Sequence, residues 1–116
     1  MLNLRRIVFR LGDLVFMTDT IVDVNAAPFM RGAELLLHEV WLGDDDIEGN
    51  EDDVLAHSDA AGVVKVALAA ETHRMMPIHL HPKRSGKEIE ELAEGMKRGG
   101  LQVTLPVEGR VYEVSP

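Results

Sequence analysis

The chain contains no cysteine among its 116 residues, and this absence limits the chemistry that it can carry. Disulfide bonds and thiolate zinc sites are excluded, so a transition metal would have to rest on histidine, aspartate and glutamate. Long apolar runs are also lacking, because charged residues interrupt each run well before the roughly 18 residues that a membrane span needs. The amino terminus lacks the apolar stretch of a cleavable signal peptide, and we therefore expect a cytoplasmic protein without a membrane partner.

Positive charge is scarce as well, with 12 Lys and Arg residues against 20 Asp and Glu residues and a formal net charge of -8. This balance argues against nonspecific binding of polyanions. A small basic patch remains at Lys83, Arg84 and Lys87. The first two of these would contact a substrate anion, although a solvated turn explains them equally well.

A length of 116 residues with 46% hydrophobic residues suits one domain with one core, so we assign residues 1–116 to a single domain. Apolar periodicity within it predicts six strands and two helices. The predicted strands cover residues 7–10, 14–18, 34–38, 75–79, 101–105 and 110–114. The predicted helices cover residues 59–72 and 86–98, with a turn or single helical turn at residues 26–31. Strands separated by single helices indicate a layered α/β fold.

Three of the predicted strands end in polar side chains that can bind metal. Asp19 follows the second strand, a His38-Glu39 pair ends the third, and His79 ends the fourth. An α/β scaffold presents ligands in this way, from a rigid sheet edge into a cleft. Carboxylate and imidazole donors suit zinc, manganese or iron(II). The pattern therefore indicates part of a metal site.

Each of these residues also has an ordinary structural explanation. Asp19 alone is typical of a turn, and His79 alone is typical of a histidine at the rim of the core. His57 opens the first predicted helix, where it would either cap the helix or reach back to pair with a carboxylate. We expect His73 to lie on the surface. His81 stays open, because the chain turns out of the sheet at this point.

The acidic segment at residues 43–53 has glycine and no apolar period, which predicts an exposed loop. Residues 44–49 match the opening of a calcium-binding EF-hand loop. Leu55, however, stands at the position of the bidentate glutamate that such a loop requires. We therefore do not expect a calcium site here.

Four short motifs resemble, in their order and spacing, those of the metallo-β-lactamase fold and within it the ribonuclease Z-like group. They read GDLVFMTDT, GAELLLHEVW, AHSDAAGV and MMPIHLHPKRSGKEIEELA. The ending LPVEGRVYEV is similar to the closing strand pair of that family. The resemblance covers residues 12–116. It implies an α/β fold that forms the carboxy-terminal half of a metallo-β-lactamase-type sandwich, with strands alternating with two main helices.

The resemblance also implies a role for each motif. Asp19 would be a ligand shared by two metal ions, and His79 would be a terminal ligand. The expected cofactor is Zn2+, with Mn2+ or Fe2+ as alternatives. Glu39 and His57 would form a proton relay to the leaving group, beside a metal-bound hydroxide that acts as the nucleophile.

Several features depart from the family. The His-x-His-x-Asp-His motif that the amino-terminal half supplies is absent from this sequence. Asp19 and His79 therefore provide two protein ligands, where a catalytic zinc needs three. Val40 and Trp41 replace a small Ala-Thr pair, and Asp59 replaces a threonine, which weakens the assignment of transfer RNA as the substrate.

Three hypotheses of different classes follow. The chain is part of a metal-dependent hydrolase of phosphodiesters or related esters, with a small-molecule or nucleic-acid substrate. Alternatively, it is a non-catalytic half-domain that associates with a missing amino-terminal half or with itself through an exposed sheet edge. The third hypothesis is a degenerate binding protein that keeps the fold and binds no metal. Whether the chain is an enzyme by itself stays open.

Overall fold

The structure is a computed structural model, and it describes residues 7–18, 24–41, 58–80 and 83–114. Within these ranges the chain forms a four-stranded sheet and three α-helices. The strands are β1 (Ile7–Leu11), β2 (Leu14–Thr18), β3 (Leu35–Glu39) and β4 (Arg74–Ile78). The helices are α1 (Ala27–Met30), preceded by a 3-10 turn at Val24–Ala26, then α2 (Ala60–Ala69) and α3 (Gly86–Arg98). The predicted layered α/β class is confirmed.

The sheet has the order β1-β2-β3-β4. β1 and β2 form an antiparallel hairpin, and Gly12 adopts φ 58 in its turn, a left-handed conformation that glycine allows without a Cβ clash. β3 runs parallel to both β2 and β4, with α2 lying between β3 and β4 in the chain. The carboxyl ends of β2, β3 and β4 consequently lie along one edge of the sheet. This is the edge at which the sequence places its polar strand ends.

The core lies between one face of the sheet and the helices. Side chains alternate between the two faces of a strand, so the apolar residues of one face can all pack against helices. That face contributes Val15, Met17, Leu36, Val40 and Met75 to the core cluster, α2 contributes Val63, Val66 and Ala67, and α3 contributes Ala93 and Met96. The helical periodicity in the sequence is therefore explained by packing on this face of the sheet.

The opposite face of the sheet is more exposed over β1 and β2, whereas Leu35, Glu39 and Met76 are buried on it. We call it the open face, and its partly or fully exposed members are Phe9, Leu11, Leu14, Phe16, Leu37 and Ile78. Phe9 is 63% exposed and Leu11 is 78% exposed. The rings of Phe9 and Phe16 lie 6.5 Å apart, centroid to centroid. None of these six residues belongs to the core cluster found within the described ranges.

Both predicted helices are present, and each begins at a polar cap. The Asp59 side chain accepts a hydrogen bond from the backbone N–H of Gly62 at 3.0 Å. This bond satisfies one of the backbone donors in the first turn of α2 that have no partner within the helix. Ser85 and Glu88 form a reciprocal capping box at the start of α3. α2 ends at Ala69, earlier than the predicted residue 72, because the chain reverses through Glu71 at φ 56.

The two predicted closing strands are largely wrong. Residues 101–105 contribute an isolated parallel bridge, in which Val103 is paired with Met75. Residues 110–114 form no strand, since no backbone ladder partner lies beside them in the described part of the chain. The hydroxyl of Tyr112 instead accepts a hydrogen bond from the backbone N–H of Val107 at 2.9 Å, which holds a local turn.

A search of the described residues for a helix long and apolar enough to cross a bilayer finds none.

Candidate functional site

Glu39 is a buried carboxylate at the end of β3. Its exposed fraction is 0%, and both of its oxygens accept hydrogen bonds. Oε1 accepts from the backbone N–H of Ser58 at 3.0 Å, and Oε2 accepts from Nδ1 of His79 at 3.0 Å. Burying a carboxylate is costly unless such partners replace its lost water, so these two contacts account for its place inside the protein.

His79 follows the last residue of β4 and adopts φ 50, a left-handed conformation that is uncommon for a residue with a Cβ. This backbone turn brings its ring back to Glu39. Its side chain is 37% exposed, whereas that of Glu39 is fully buried. Because a carboxylate only accepts hydrogen bonds, Nδ1 of His79 must carry the proton, and a neutral ring then has its lone pair on Nε2.

Trp41 lies beside this pair. Its ring centroid is 4.9 Å from that of His79, with an interplanar angle of 58°. The backbone N–H of Trp41 donates to the carbonyl of Ser58 at 3.1 Å, and its carbonyl accepts from Nη2 of Arg84 at 3.0 Å. The residues just before α2 and α3 are thereby connected to the end of β3.

His38 lies on the other side of β3 from Glu39, within the helix-packed face of the sheet. It is 0% exposed, and its Nδ1 lies 2.8 Å from the main-chain carbonyl oxygen of Glu39. Burial lowers the pKa of His38 below its ordinary value of 6.5, against the smaller opposing effects of this hydrogen bond and of the Glu39 charge. Its Nε2 has no hydrogen-bond partner within the described residues.

The structure brings together two of the residues that the sequence singled out, Glu39 and His79. The prediction paired Glu39 with His57 instead. His57 and Asp19 both lie outside the described residues, as do His81 and the acidic segment at residues 43–53, so the predictions for them remain predictions.

The two predicted substrate contacts lie in different surroundings. Arg84 is half-buried and holds the Trp41 carbonyl, whereas Lys83 is exposed. His73, predicted to lie on the surface, is exposed and contacts Glu34, with 2.9 Å between Nδ1 and Oε2.

The sequence assigned no role in this site to Ser58 or Trp41, and it counted His38 only among the polar strand ends. Ser58 donates its backbone N–H to the carboxylate, Trp41 contacts the imidazole, and His38 contacts the Glu39 main chain. Each of the three lies within two residues of Glu39 or His57, to which the motifs assign a role. This proximity in the sequence is the signal that could have identified them. Backbone donors carry no side-chain signature, so the role of Ser58 is visible only in the fold.

Comparison with solved structures identifies the fold. The metallo-β-lactamase fold protein YhfI from Bacillus subtilis matches over 85% of this chain, with a TM-score of 0.68 and 19% sequence identity. The chain has part of the metallo-β-lactamase fold. Human tRNase Z, short form (ELAC1), matches over 89% of the chain with a TM-score of 0.61 and 18% identity. The predicted resemblance to this fold is confirmed.

Among curated proteins, the ribonuclease Z of Leuconostoc mesenteroides subsp. mesenteroides is 27% identical over 85 residues, which is 73% of this chain. No family model matches the chain. The chain spans 27% of the length of that ribonuclease Z, 38% of YhfI and 34% of the human tRNase Z. These relatives are therefore roughly two to three times as long as this chain.

Proteins with the metallo-β-lactamase fold usually bind metal ions, so the histidine and carboxylate side chains of this chain are potential metal ligands. Within residues 7–18, 24–41, 58–80 and 83–114, no group of three or more metal-binding side chains is placed to hold an ion. The surroundings of His79 fit those of a metal ligand, because a histidine that binds metal through one nitrogen usually donates the N–H of the other to a carboxylate or carbonyl. Glu39 supplies that carboxylate.

Proposed function

We propose that this chain forms the carboxy-terminal part of a metal-dependent hydrolase of phosphodiesters or related esters, similar to ribonuclease Z. The observation that carries the proposal is the Glu39–His79 pair, a fully buried carboxylate bound to an imidazole at the end of two parallel strands. The similarity to the Leuconostoc ribonuclease Z and to human tRNase Z supports the reaction class. A nucleic-acid ester is accordingly the leading substrate class, with a small-molecule ester as the alternative.

Asp19 and His79 are the residues of this chain that would hold the metal. The ion, Zn2+ by preference with Mn2+ or Fe2+ as alternatives, would supply Lewis-acid activation of water and of the ester. Glu39 fixes the orientation and tautomer of His79 through Nδ1, while Ser58 fixes Glu39 through its other oxygen. His57, which precedes Ser58 in the sequence, would hold or move a proton at the leaving oxygen together with Glu39.

Arg84 and Lys83 would attract the anionic ester. Arg84 already donates one N–H of Nη2 to the Trp41 carbonyl, so its guanidinium is held next to the ring that contacts His79. Lys83 is exposed and would act as a point charge.

The experiment uses the protein as its own cell makes it. An affinity tag is fused to the gene product at its native locus, and the purified product is assayed for mass, bound zinc and hydrolysis of bis(4-nitrophenyl) phosphate. We expect bound zinc and hydrolysis, and we expect His79→Ala to lose both. His73→Ala is the matched control, because it removes an exposed histidine outside the site and should change neither.

The proton relay is tested with Glu39→Gln, which should lower the rate by about 100-fold or more, the usual contribution of a positioned acid or base. Equal zinc content in the wild type, Asp19→Ala and His79→Ala would exclude both residues as ligands. A wild type without bound zinc would favour a degenerate metal-free binding protein. A product that binds zinc without hydrolysing the ester would contradict the hydrolase assignment.

The open face favours a second candidate, a non-catalytic half-domain that associates with a partner or with itself. Phe9 and Leu11 are exposed on β1, which pairs with β2 alone in the described part of the sheet. Apolar faces and unpaired strand edges are common protein interfaces. Light scattering during size exclusion tests this candidate, since a product that stays monomeric at all concentrations and carries no partner would contradict it.

A further inference from the structure

We infer that His38 is a positioning residue, whose buried ring holds the Glu39 main chain and thereby orients the Glu39 side chain toward His79. The inference starts from the 2.8 Å contact between Nδ1 of His38 and the carbonyl oxygen of Glu39. A carbonyl oxygen can only accept, so Nδ1 of His38 carries the proton and donates it. The functional value of this positioning rests on the function proposed above for Glu39 and His79.

The peptide between Glu39 and Val40 is held on both of its polar sides. Its carbonyl accepts from His38, and its N–H, which belongs to Val40, donates to the carbonyl of Ile78 at 3.1 Å. Ile78 is the residue directly before His79. The two hydrogen bonds therefore fix the orientation of the peptide that follows the Glu39 Cα, and they connect this peptide to the end of β4, directly before His79.

The surroundings of His38 strengthen its hold on Glu39. The ring is 0% exposed, so water does not compete for the carbonyl, and a hydrogen bond in a low-dielectric interior is electrostatically stronger than one in water. Burial also lowers the pKa of His38, which keeps the ring neutral with its proton on Nδ1.

The other ring nitrogen distinguishes His38 from the apolar residues that surround it. Nε2 is buried and lacks a partner within the described residues, and a buried polar atom in this state costs about 1–3 kcal/mol. Leucine or valine at this position would fill the helix-packed face without that cost. The contact made by Nδ1 is the feature that these apolar residues could not provide.

Three variants separate the two ring nitrogens. His38→Asn keeps an N–H donor at the δ position, where it replaces Nδ1. His38→Gln moves the donor to the ε position, and His38→Leu fills the space without a donor. Each is studied as the full chain, depleted of metal, at pH 8, and the tautomer of His79 is measured by long-range 1H–15N correlation NMR.

We expect the wild type and His38→Asn to hold His79 as its Nδ1–H tautomer. In His38→Gln and His38→Leu we expect that preference to be lost, with Nε2–H the major form. A merely structural role would lower stability in all three variants without separating Asn from Gln. Should His38→Leu fail to fold, the comparison of Asn with Gln decides.

The inference is overturned if His38→Gln keeps the His79 tautomer and His38→Asn does not, since Nε2 would then be the important atom. It is also overturned if Asn and Gln behave alike, or if His79 in the wild type is not the Nδ1–H form. No metal or substrate enters the measurement. A failure of the hydrolase proposal would therefore leave this result intact, and the reverse is equally true.

Discussion

Replacing Glu39 removes a carboxylate that two hydrogen bonds hold inside the protein. In Glu39→Ala, the N–H of Ser58 loses this acceptor, and Ser58 is 0% exposed in the wild type. An unsatisfied buried donor costs about 1–3 kcal/mol. The lost contact with His79 adds less, because the His79 side chain is 37% exposed and water partly screens it. We expect a total loss of about 2–4 kcal/mol in the free energy of unfolding.

Glu39→Gln is the matched variant, because it keeps the shape and one carbonyl oxygen. That oxygen can still accept from the N–H of Ser58, but the amide nitrogen then faces Nδ1 of His79 and both would donate. His79 has to change its tautomer to resolve this conflict. We therefore expect a smaller stability loss of about 1 kcal/mol, together with a shift of His79 to its Nε2–H form.

Urea unfolding followed by circular dichroism measures both losses of stability. Each kcal/mol that is lost should lower the midpoint of thermal unfolding by about 4 °C in a chain of this length. A loss below about 1 kcal/mol in Glu39→Ala would refute the reasoning, since the N–H of Ser58 would then have another partner. An unchanged His79 tautomer in Glu39→Gln would show that the two side chains do not meet in solution.

Three further predictions concern the core, a helix cap and pH. Leu36→Ala, at a fully buried position of β3, should cost about 2–5 kcal/mol in urea unfolding, and a loss below 1 kcal/mol would contradict its place in the core. Ser85→Ala should lower the free energy of unfolding by about 0.5–2 kcal/mol, because it removes the capping box of α3. Ser85→Asp should retain most of the stability, because aspartate also caps helices. The pKa of His38 is lowered by burial, so the unfolded chain binds the extra proton first. The contribution of His38 to the free energy of unfolding should be complete above pH 6.5 and should fall by up to about 1.4 kcal/mol per pH unit below it. The same pH dependence of stability in the wild type and in His38→Asn would contradict this prediction.

Much of the fold follows from local patterns in the sequence. The apolar spacing of residues 59–72 and the Ser85 cap predict α2 and α3, and both are present. The four strands of the sheet were also predicted within about a residue at each end. The prediction of the closing strands was wrong, because a strand at residues 110–114 requires a neighbouring strand as well as a suitable composition. The described part of this chain offers no such neighbour.

The candidate site was predictable in its residues and less so in its contacts. Glu39 and His79 were recognised because polar residues that follow apolar strands meet at one edge of a parallel sheet. Their 3.0 Å contact was not foreseen, because it depends on the left-handed backbone of His79, and nothing in the sequence around a histidine announces that conformation. The roles of Ser58 and His38 depend on backbone groups, which all residues share.

The sequence by itself determined the four strands of the sheet and the two long helices, the residues at the strand ends that can do chemistry, and the absence of thiolate ligands. These properties are local, since they depend on side-chain type and on spacing along the chain. The tertiary structure decided which of these groups meet, since it places His79 against Glu39 and His38 on the other face of β3. It also decided that one sheet face packs against helices while the opposite face stays exposed at β1. Such pairings depend on the register of strands that lie 40 residues apart in the chain, and register is set by the packing of the whole sheet.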